Sequence, residues 1–173
     1  MRWSAPGEKV AELVAQRRAI YGGELGWVDA DADVAWDAYD QYSSALLVYD
    51  DAGALVASGR FTDERHGPSE LSDLVDWRAA LPAELRDAAR APSAEWSRVM
   101  VAPALRGSGM FRRMYEAVRA RARDGGVVLL SGASVAELRP RYERLGFHYL
   151  PLPFRSSFFA ASPVYYPAYQ RIA

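Results

Sequence analysis

The segment from residue 94 to residue 146 constrains the fold of this chain more than any other part of the sequence. Apolar residues predict a strand over 94–102, and an amphipathic pattern then predicts a helix over 109–123. A second apolar run predicts a buried strand over 127–133, followed by a second helix over 135–145 that ends at Gly146. Regular alternation of strands and helices is typical of an α/β arrangement.

The first half of the chain adds a helix and an antiparallel pair of strands. Apolar spacing predicts an amphipathic helix over 7–21, which the glycines that follow are expected to break. Two apolar runs, 44–51 and 54–61, are joined by a short glycine-containing turn and predict a hairpin. We therefore expect an α/β (α+β) fold with a mixed central sheet flanked by helices, in a single domain over 1–173.

Three further segments carry no clear hydrophobic period. Residues 28–43 are acidic and aromatic, and predict a structured loop. Residues 62–93 are interrupted by prolines, with helical pieces near 69–77 and 82–91, and form either a surface connection or a lid over the site. Residues 147–173 alternate aromatic and small residues among four prolines, which predicts one or two irregular strands.

Composition excludes several classes of site. The sequence has no cysteine, so disulfides, thiolate metal sites and cysteine nucleophiles are excluded. Because His66 and His148 are the only histidines, we expect neither a Ser-His-Asp triad nor a metal site. The net charge of −1 argues against nucleic-acid binding. No run approaches the ~18 apolar residues of a membrane span, and no hydrophobic signal segment is visible, so we expect a cytoplasmic protein without a membrane partner.

A glycine-containing basic turn connects the strand over 94–102 to the helix that follows it. Backbone N–H groups at the start of a helix point outward without partners, and they favour an anion such as a pyrophosphate or a phosphopantetheine phosphate. A plain turn without a ligand is the alternative. The candidate cofactor-binding residues of the turn are Arg106, Gly107, Ser108, Gly109 and Met110.

The residues around this turn resemble motif A of the GNAT acyltransferase superfamily, a strand followed by Arg/Gln-x-x-Gly-x-Gly/Ala. Arg106 and Gly109 fill the first two signature positions, and Phe111 stands where the last small residue is usual. Downstream, the run 141–147 resembles the Tyr-x-x-Leu-Gly-Phe ending of the next helix in that superfamily. The resemblance covers roughly residues 44–150. It implies a GNAT-like acyl-CoA N-acyltransferase fold with an acyl-CoA donor.

A set of polar and aromatic residues through the front half carries a second resemblance. In order along the chain, these residues are Arg17, Tyr21, Leu25, Gly26, Trp27, Asp37, Asp40, Arg60, Glu95, Ser97 and Arg98. The pattern is similar to that of the acyl-homoserine-lactone synthases and the N-acyl amino acid synthases, a GNAT-like branch that takes acyl chains from acyl-carrier protein. After residue 100 the sequence follows the ordinary GNAT pattern instead.

These resemblances imply roles for individual residues. Acyl transfer to an amine needs a base for the attacking ammonium and an acid for the leaving thiolate. Glu95 is the candidate base, and Tyr142 matches the position from which GNAT tyrosines protonate the thiolate. The backbone of Val99, Met100 and Val101 would pair with the amides of pantetheine like an added strand. Alternatively, Glu95 is an ion-pair partner of an arginine, and Tyr142 is a packed tyrosine at a helix end.

The alternating charges of the front half have two interpretations. In the first, they form an ion-pair network that fixes the N-terminal helix and the 28–43 loop to the sheet. In the second, Asp37 or Asp40 binds the ammonium of an amino-acid-like acceptor, and an arginine binds its carboxylate. The candidate substrate-binding residues are Arg17, Trp27, Asp37, Asp40, Arg60 and Arg98.

We therefore expect an N-acyltransferase that moves an acyl group from acyl-CoA or acyl-carrier protein to the amine of a small amino-acid-like acceptor by direct attack. Two alternatives stay open. One is an acyl-homoserine-lactone-type synthase using S-adenosylmethionine, and the other is a non-catalytic module that binds an acyl thioester or a carrier protein. A carrier protein would contact exposed arginines, unless these form a solvated helix face: Arg112, Arg113 and Arg119. Aromatic residues of the tail either line an acyl chain or pack on the sheet: Phe154, Phe158, Phe159, Tyr165 and Tyr166.

Overall fold

Eight strands build the central sheet, and a computed structural model describes the chain over residues 1–27, 35–156 and 162–172. The strands are β1 (Arg2–Trp3), β2 (Ser44–Tyr49), β3 (Leu55–Asp63), β4 (Ser93–Val101), β5 (Leu129–Ser134), β6 (His148–Tyr149), β7 (Phe154–Arg155) and β8 (Val164–Arg171). Seven lie in the order β1-β2-β3-β4-β5-β8-β6, and β7 pairs with β8. Only the β4–β5 pair of this described sheet is parallel. The mixed sheet that the sequence predicts is confirmed.

Four α-helices flank the sheet in the described part of the chain. They are α1 (Ala11–Arg18), α2 (Glu70–Leu74), α3 (Met110–Asp124) and α4 (Arg139–Glu143). Short 3₁₀ turns lie at Ala38–Gln41, Ala83–Leu85, Ala88–Arg90, Pro103–Leu105 and Ala136–Leu138. The helix predicted over 135–145 is thus a 3₁₀ turn followed by α4. Within the described residues, no helix has both the length and the apolar character needed to cross a bilayer.

The longest helix, α3, packs its apolar stripe on the sheet. Met114, Val118 and Ala122 are buried at helical spacing, and they join Trp96 of β4 in the main core. The helix ends at a pair of glycines, of which Gly126 has a φ of 70°. β4 and the turn that precedes α3 therefore lie on a well-packed support.

The N-terminal helix continues past the glycines at which the sequence predicts its end. A π-helical segment, Ala19–Glu24, follows α1 directly and contains both Gly22 and Gly23. A glycine weakens a helix without necessarily ending it, and a 2.8 Å backbone hydrogen bond from Leu25 N to Ile20 O closes the wide last turn. The prediction of a break here is wrong, and the extension carries residues that line the site described below.

The segment between β3 and β4 is held firmly against the sheet. Trp77 is completely buried, and its Nε1 donates a hydrogen bond of 3.1 Å to Ser72 Oγ. The Glu64 carboxylate accepts hydrogen bonds of 2.5 Å from both Ser69 Oγ and Ser72 Oγ. Only short helical pieces form, α2 and two 3₁₀ turns, where the sequence predicts longer ones. These contacts favour a fixed wall over a lid.

The C-terminal segment, 147–173, contains a longer regular strand than we expect from a segment with four prolines. β8 has eight residues and pairs with β5 along one edge. On its other edge, β7 pairs with Val164 and Tyr165, and β6 pairs with Ala168 and Tyr169. Pro167 lies between these two pairings, where the missing N–H breaks no ladder hydrogen bond with either short strand. The predicted tail residues Phe158 and Phe159, and part of the predicted 28–43 loop, lie outside the described residues.

Candidate active site

The parallel strands β4 and β5 pair only at their beginnings and then separate. Their register joins Ser93–Glu95 of β4 to Leu129–Ser131 of β5, although both strands continue further. Gly132 lies where they part, and a Cβ there would be 2.9 Å from the carbonyl oxygen of Trp96. The edge of β4 beyond Glu95 therefore faces a gap on its β5 side.

A bulge redirects β4 immediately after this point. The register between β3 and β4 shifts after Ser97, so that Arg98 and Val99 together face the single residue Gly59. Arg98 has a φ of 52°, which is uncommon for a residue other than glycine. Unusual backbone conformations of this kind concentrate at functional sites, where the surrounding contacts maintain them.

The gap opens into a cleft of about 1140 Å³. The predicted site residues that line it are Trp27, Glu95, Arg98, Val99, Met100, Val101, Arg106, Gly107, Gly109, Met110 and Tyr142. Those outside its described lining are Arg17, Asp37, Asp40, Arg60 and Ser108. The structure thus brings the predicted donor residues and both predicted catalytic residues to one cavity, and it separates them from most of the predicted acceptor residues.

The glycine-containing turn forms one end of the cleft. Gly107 and Gly109 have φ angles of 85° and 84°, and a Cβ on either would meet no atom within 4 Å. A ligand can therefore approach the backbone closely at both positions. The guanidinium of Arg106 is already engaged, since it donates to both carboxylate oxygens of Glu24 at 2.6 and 2.8 Å. Ser108 lies outside the described cleft lining, and its Oγ donates to the carbonyl oxygen of Leu105 at 2.7 Å.

Glu95 lies at the point where β4 leaves β5. Only 2% of the residue is exposed, and its Oε2 accepts a hydrogen bond of 2.8 Å from the backbone N of Leu71. Burial raises the pKa of the Glu95 carboxyl, the negative charge of Glu70 raises it further, and the positive charge of Arg60 opposes both effects. A carboxylate with a raised pKa accepts a proton more readily than an ordinary one, as a general base requires.

A buried group of charges adjoins Glu95. Arg60 donates to both oxygens of Asp37 at 2.7 and 2.8 Å and to Glu70 at 2.5 Å. Arg98 donates to the same two carboxylates, at 3.0 Å to Asp37 and 3.1 Å to Glu70. Although burial opposes ionisation of Glu70, the charges of Arg98 and Arg60 lower the pKa of this carboxyl. Within this group, Glu70 and Arg98 reach the cleft, and Asp37 and Arg60 support them from behind.

Arg17 and Asp40 form an ion pair behind this group, and Asp40 also lies 3.7 Å from the Arg60 guanidinium. The guanidinium donates to the two carboxylate oxygens at 2.6 and 3.0 Å, and the Arg17 side chain is 1% exposed. Burial alone would raise the pKa of Asp40, but the hydrogen bonds and charge of Arg17 lower it. Asp40 also accepts from the backbone N of Asp37 at 2.9 Å. The geometry favours the ion-pair interpretation of Arg17, Asp37, Asp40 and Arg60, because all four lie outside the described cleft lining and each is paired with an opposite charge.

Aromatic rings form one wall of the cleft. Tyr21 stacks on Trp27 with 6.0 Å between ring centroids, and Trp27 meets Tyr165 edge-on at 6.2 Å. Tyr165 in turn stacks on Phe154 at 5.8 Å. The Arg98 guanidinium carbon lies 5.6 Å from the Tyr21 ring centre. The π-helical segment, β4, β7 and β8 therefore all contribute to this wall.

Tyr142 lies in a second aromatic group beside the turn. Phe111 lies between Trp96 and Tyr142, with ring centroids 5.2 Å from each. Burial raises the pKa of the Tyr142 phenol, so this group is protonated at neutral pH and is a weaker acid than an exposed tyrosine. Phe111 lines the cleft where the family pattern has a small residue.

Sequence reasoning assigned no role to several residues that line the cleft: Glu24, Glu70, Leu71 and Leu74. Glu70 lies in a polar segment without a motif. The one local signal is Ser69, whose Oγ accepts a hydrogen bond of 3.2 Å from Ser72 N and caps α2. A capping residue predicts where a helix begins, but it does not predict which part of the protein that helix contacts. Among the described residues, no group of three or more histidine, aspartate and glutamate side chains is placed to hold a metal ion.

Several solved structures share this fold. An acyl-CoA N-acyltransferase from Pseudomonas aeruginosa superposes with a TM-score of 0.66 at 17% identity, covering 98% of this chain and 97% of that one. The CoA-dependent acyl-homoserine lactone synthase BjaI, with S-adenosylmethionine and isopentyl-CoA, gives 0.71 at 21% identity over 99% of this chain and 82% of that one. The N-acyl amino acid synthase FeeM, from uncultured soil microbes, gives 0.69 at 11% identity over 99% and 91%. At these identities the likeness establishes the fold alone.

The sequence itself identifies the family. No curated protein sequence matches the chain. A family model described as an acetyltransferase (GNAT) domain matches residues 16–116, which is more than half of the chain. That match includes the π-helical segment, the buried charges, β4 and the glycine-containing turn. The chain therefore belongs to the GNAT family of acyltransferases.

Proposed function

We propose that this protein transfers an acyl group from a pantetheine thioester, acyl-CoA or acyl-carrier protein, to the amine of a small amino-acid-like acceptor. The observation that carries this proposal is the placement of Glu95. It combines burial, a raised pKa and a position in the cleft at the point where β4 and β5 separate. We further propose that the whole chain, 1–173, acts as one domain in the cytoplasm.

The reaction we propose is a direct attack within a ternary complex. Glu95 takes a proton from the acceptor ammonium, and the neutral amine then attacks the thioester carbonyl carbon. A C–N bond forms, the C–S bond breaks, and the departing thiolate takes the phenolic proton of Tyr142. The phenolate then takes the surplus proton from the new amide nitrogen, which restores the phenol. Both residues line the same cleft, and burial raises the pKa of Glu95 in the direction that a general base requires.

The donor would lie along the free edge of β4. Val99, Met100 and Val101 line the cleft beyond the last β4–β5 pair, so their backbone can hydrogen-bond the pantetheine amides as an added strand would. The phosphate next to the pantetheine arm would then lie at the backbone N–H groups that begin α3, where Gly107 and Gly109 leave open space.

The acceptor would lie at the opposite end, beside the buried charges. Glu70 and Glu95 are carboxylates that can face an ammonium, and Arg98 is the guanidinium of the buried group that lines the cleft and can face the acceptor's carboxylate. The rings of Tyr21 and Trp27 complete a wall that suits a cationic group, because aromatic faces attract positive charge. We assign the ammonium to Glu70 in place of Asp37 and Asp40, because Glu70 lines the cleft and the two aspartates lie outside its described lining.

The acyl chain would occupy the apolar part of the cleft. Leu71 and Leu74 line it from the α2 side, and Phe154 and Tyr165 line it from the tail. These contacts support the interpretation of the tail aromatics as lining for an acyl chain.

The test mixes the protein with one donor and a panel of amino acids, and it measures the release of free thiol. The donors are acetyl-, octanoyl- and palmitoyl-CoA and the matching acyl-carrier proteins. Mass spectrometry identifies the amide product. Glu95→Gln should lower turnover by ~10²–10⁴-fold with donor binding retained, and Tyr142→Phe should also lower turnover. Glu137→Gln is the matched control, because Glu137 is an exposed carboxylate at the same cleft. Donor binding without turnover in any mixture would support the non-catalytic module instead.

One observation favours a second candidate, an acyl-homoserine-lactone-type synthase. The residues that carry that resemblance assemble in space, since Arg17 pairs with Asp40, and Asp37 bridges Arg60 and Arg98. Including S-adenosylmethionine in the acceptor panel separates the two functions. An acylated product from S-adenosylmethionine, with none from free amino acids, would decide for the synthase.

A further inference from the structure

The buried charges beside the cleft do not cancel one another. Each of the side chains concerned is nine-tenths or more buried, and most are joined by the ion pairs described above. We call them the buried charge group: Arg17, Arg60 and Arg98 with Asp37, Asp40, Glu70 and Glu95. Three guanidinium groups stand against four carboxyl groups, so this group carries one excess negative charge when all of its members are ionised.

The excess negative charge comes from Glu70. The other six members all belong to the sequence pattern that resembles the acyl-homoserine-lactone synthases and the N-acyl amino acid synthases, and among those six the charges are equal and opposite. The Glu70 carboxylate accepts hydrogen bonds of 2.5 Å from Arg60 and 3.1 Å from Arg98, but both guanidinium groups are shared with Asp37, at 2.7 and 3.0 Å. Glu70 therefore adds a charge to the group without adding a cation that balances it.

The cations that contact Glu70 are already members of the buried charge group. Among the described residues, the positive charges that act most strongly on its carboxyl are those of Arg98 and Arg60. Arg106 also lines the cleft, but its charge is paired with Glu24. The two internal stretches outside the described residues, 28–34 and 157–161, contain no lysine or arginine. An unpaired buried charge is costly, so the balancing charge is expected from a proton or from a molecule bound in the cleft that Glu70 lines.

A proton on Glu95 removes the excess charge only in the resting protein. Burial and the charge of Glu70 raise the pKa of Glu95, against the opposing charge of Arg60, and a raised pKa favours that proton. A general base must lose the proton before turnover, so the acceptor meets the group in its negatively charged state. A zwitterionic amino acid has no net charge and leaves the excess in place, whereas an acceptor of net charge +1 cancels it. The rings of Tyr21 and Trp27, which line the cleft, also favour positive charge.

We propose that Glu70 makes this protein select acceptor amines of net charge +1 over zwitterionic amino acids of no net charge. The net charge comes either from a cationic side chain or from a carboxyl group that is masked as an amide or ester. This inference rests on the proposed function, because it assumes that an acceptor amine is acylated in the cleft. It extends that function by naming the charge class of the acceptor and the residue that selects it.

The test compares three acceptors of similar size: L-norleucine, L-lysine and L-norleucine amide. Lysine differs from norleucine by a terminal ammonium, and norleucine amide differs from it by the loss of the carboxylate charge. Each is mixed at neutral pH with the donor that supports the most thiol release in the panel above, and kcat/KM for amide formation is measured by mass spectrometry. The comparison of acceptors in the wild type does not depend on the folding of any variant.

Three variants identify the source of the preference. Glu70→Gln removes the charge and retains the size of the side chain, whereas Glu70→Asp retains the charge and shortens the side chain. Asp73→Asn is the matched control, because it removes an exposed carboxylate from the same helix outside the cleft lining. A ratio of kcat/KM values for two acceptors does not depend on the fraction of active protein, so partial unfolding of a variant does not obscure the result.

The wild type should use lysine, norleucine amide or both about tenfold better than norleucine. A preference for lysine alone would assign the selected charge to the side chain, and a preference for norleucine amide alone would assign it to the missing carboxylate. Glu70→Gln should lose the preference, and Glu70→Asp and Asp73→Asn should keep it.

Three results would overturn the proposal and leave the acyltransferase function intact. They are equal use of norleucine and both charged acceptors by the wild type, an unchanged preference in Glu70→Gln, and equal losses of preference in Glu70→Gln and Glu70→Asp. Failure of every donor and acceptor to react would overturn the proposed function as well.

Discussion

The guanidinium of Arg106 lies against the carboxylate of Glu24, with two hydrogen bonds of 2.6 and 2.8 Å across 82 positions of sequence. Glu24 ends the π-helical segment, and Arg106 begins the glycine-containing turn. The hydrogen bond from Arg106 lowers the pKa of the Glu24 carboxyl, so the pair is ionised at neutral pH. The π-helical segment beside the aromatic wall is therefore connected directly to the glycine-containing turn.

Replacing Glu24 with Gln should release Arg106 toward the donor. An exposed ion pair contributes little by itself, so we expect donor affinity to rise about two- to fivefold, with no loss of thermal stability. Calorimetric titration with CoA measures the change. Glu116→Gln removes the partner of Arg112 at the same cleft and serves as control, and an equal gain from both variants would contradict a specific role for the Arg106 pair.

Removing the charge of Glu70 should change the pH dependence of turnover. Burial and the charge of Glu70 both raise the pKa of Glu95, and a base is active only above its pKa, so turnover should rise with pH through this group. In Glu70→Gln the repulsion is gone and Arg60 is less neutralised, so the pKa of Glu95 falls. The acidic limb of the kcat profile should therefore move to lower pH.

Asp73→Asn provides the comparison, since it removes a carboxylate from the same short helix outside the cleft lining. Its acidic limb should coincide with that of the wild type. An unshifted limb in Glu70→Gln, with normal melting behaviour, would mean that the limb belongs to a group other than Glu95.

The buried pair of Arg17 and Asp40 should be essential for stability. Asp40→Asn leaves the Arg17 guanidinium buried without its counter-charge, which typically costs about 3–5 kcal/mol of unfolding free energy. Because pairing lowers the pKa of Asp40, its contribution is present above the pKa of an unfolded aspartate and lost as the pH falls through the lowered value. The loss of unfolding free energy in Asp40→Asn should therefore become smaller at acidic pH. Urea unfolding at several pH values measures both effects, and a deficit below about 1 kcal/mol at neutral pH would contradict a structural role.

Phe111 should limit access to the turn. Its ring fills the space between Trp96 and Tyr142 beside the first turn of α3, so Phe111→Ala widens the cleft there. We expect tighter CoA binding together with a lower melting temperature, because two ring contacts of about 0.5–1.5 kcal/mol each are lost. Phe111→Leu retains most of the volume and should bind CoA as the wild type does. Weaker binding by the alanine variant would instead make the ring part of the donor site.

Much of the fold follows from local sequence. The β2–β3 hairpin has Gly53 at a φ of 82° and Asp50 accepting two backbone hydrogen bonds in the turn, both recognisable from a short stretch of sequence. The apolar stripe of α3 and the positive φ at Gly109 are equally local. Where prediction failed, at Gly22 and Gly23, local propensity was outweighed by the packing of the segment that contains them.

The candidate site likewise combines features that local sequence predicts with features that depend on the tertiary structure. The sequence by itself placed Glu95, Tyr142 and the glycine-containing turn on particular elements, because strand periodicity and backbone requirements are local properties. Only the tertiary structure decided that β4 and β5 separate after three residue pairs, and that Glu70 enters the cleft while Arg17 and Asp40 stay behind it. Which charges neutralise one another depends on distances across many residues of chain. A pattern of alternating signs cannot specify those distances before the sheet brings its members together.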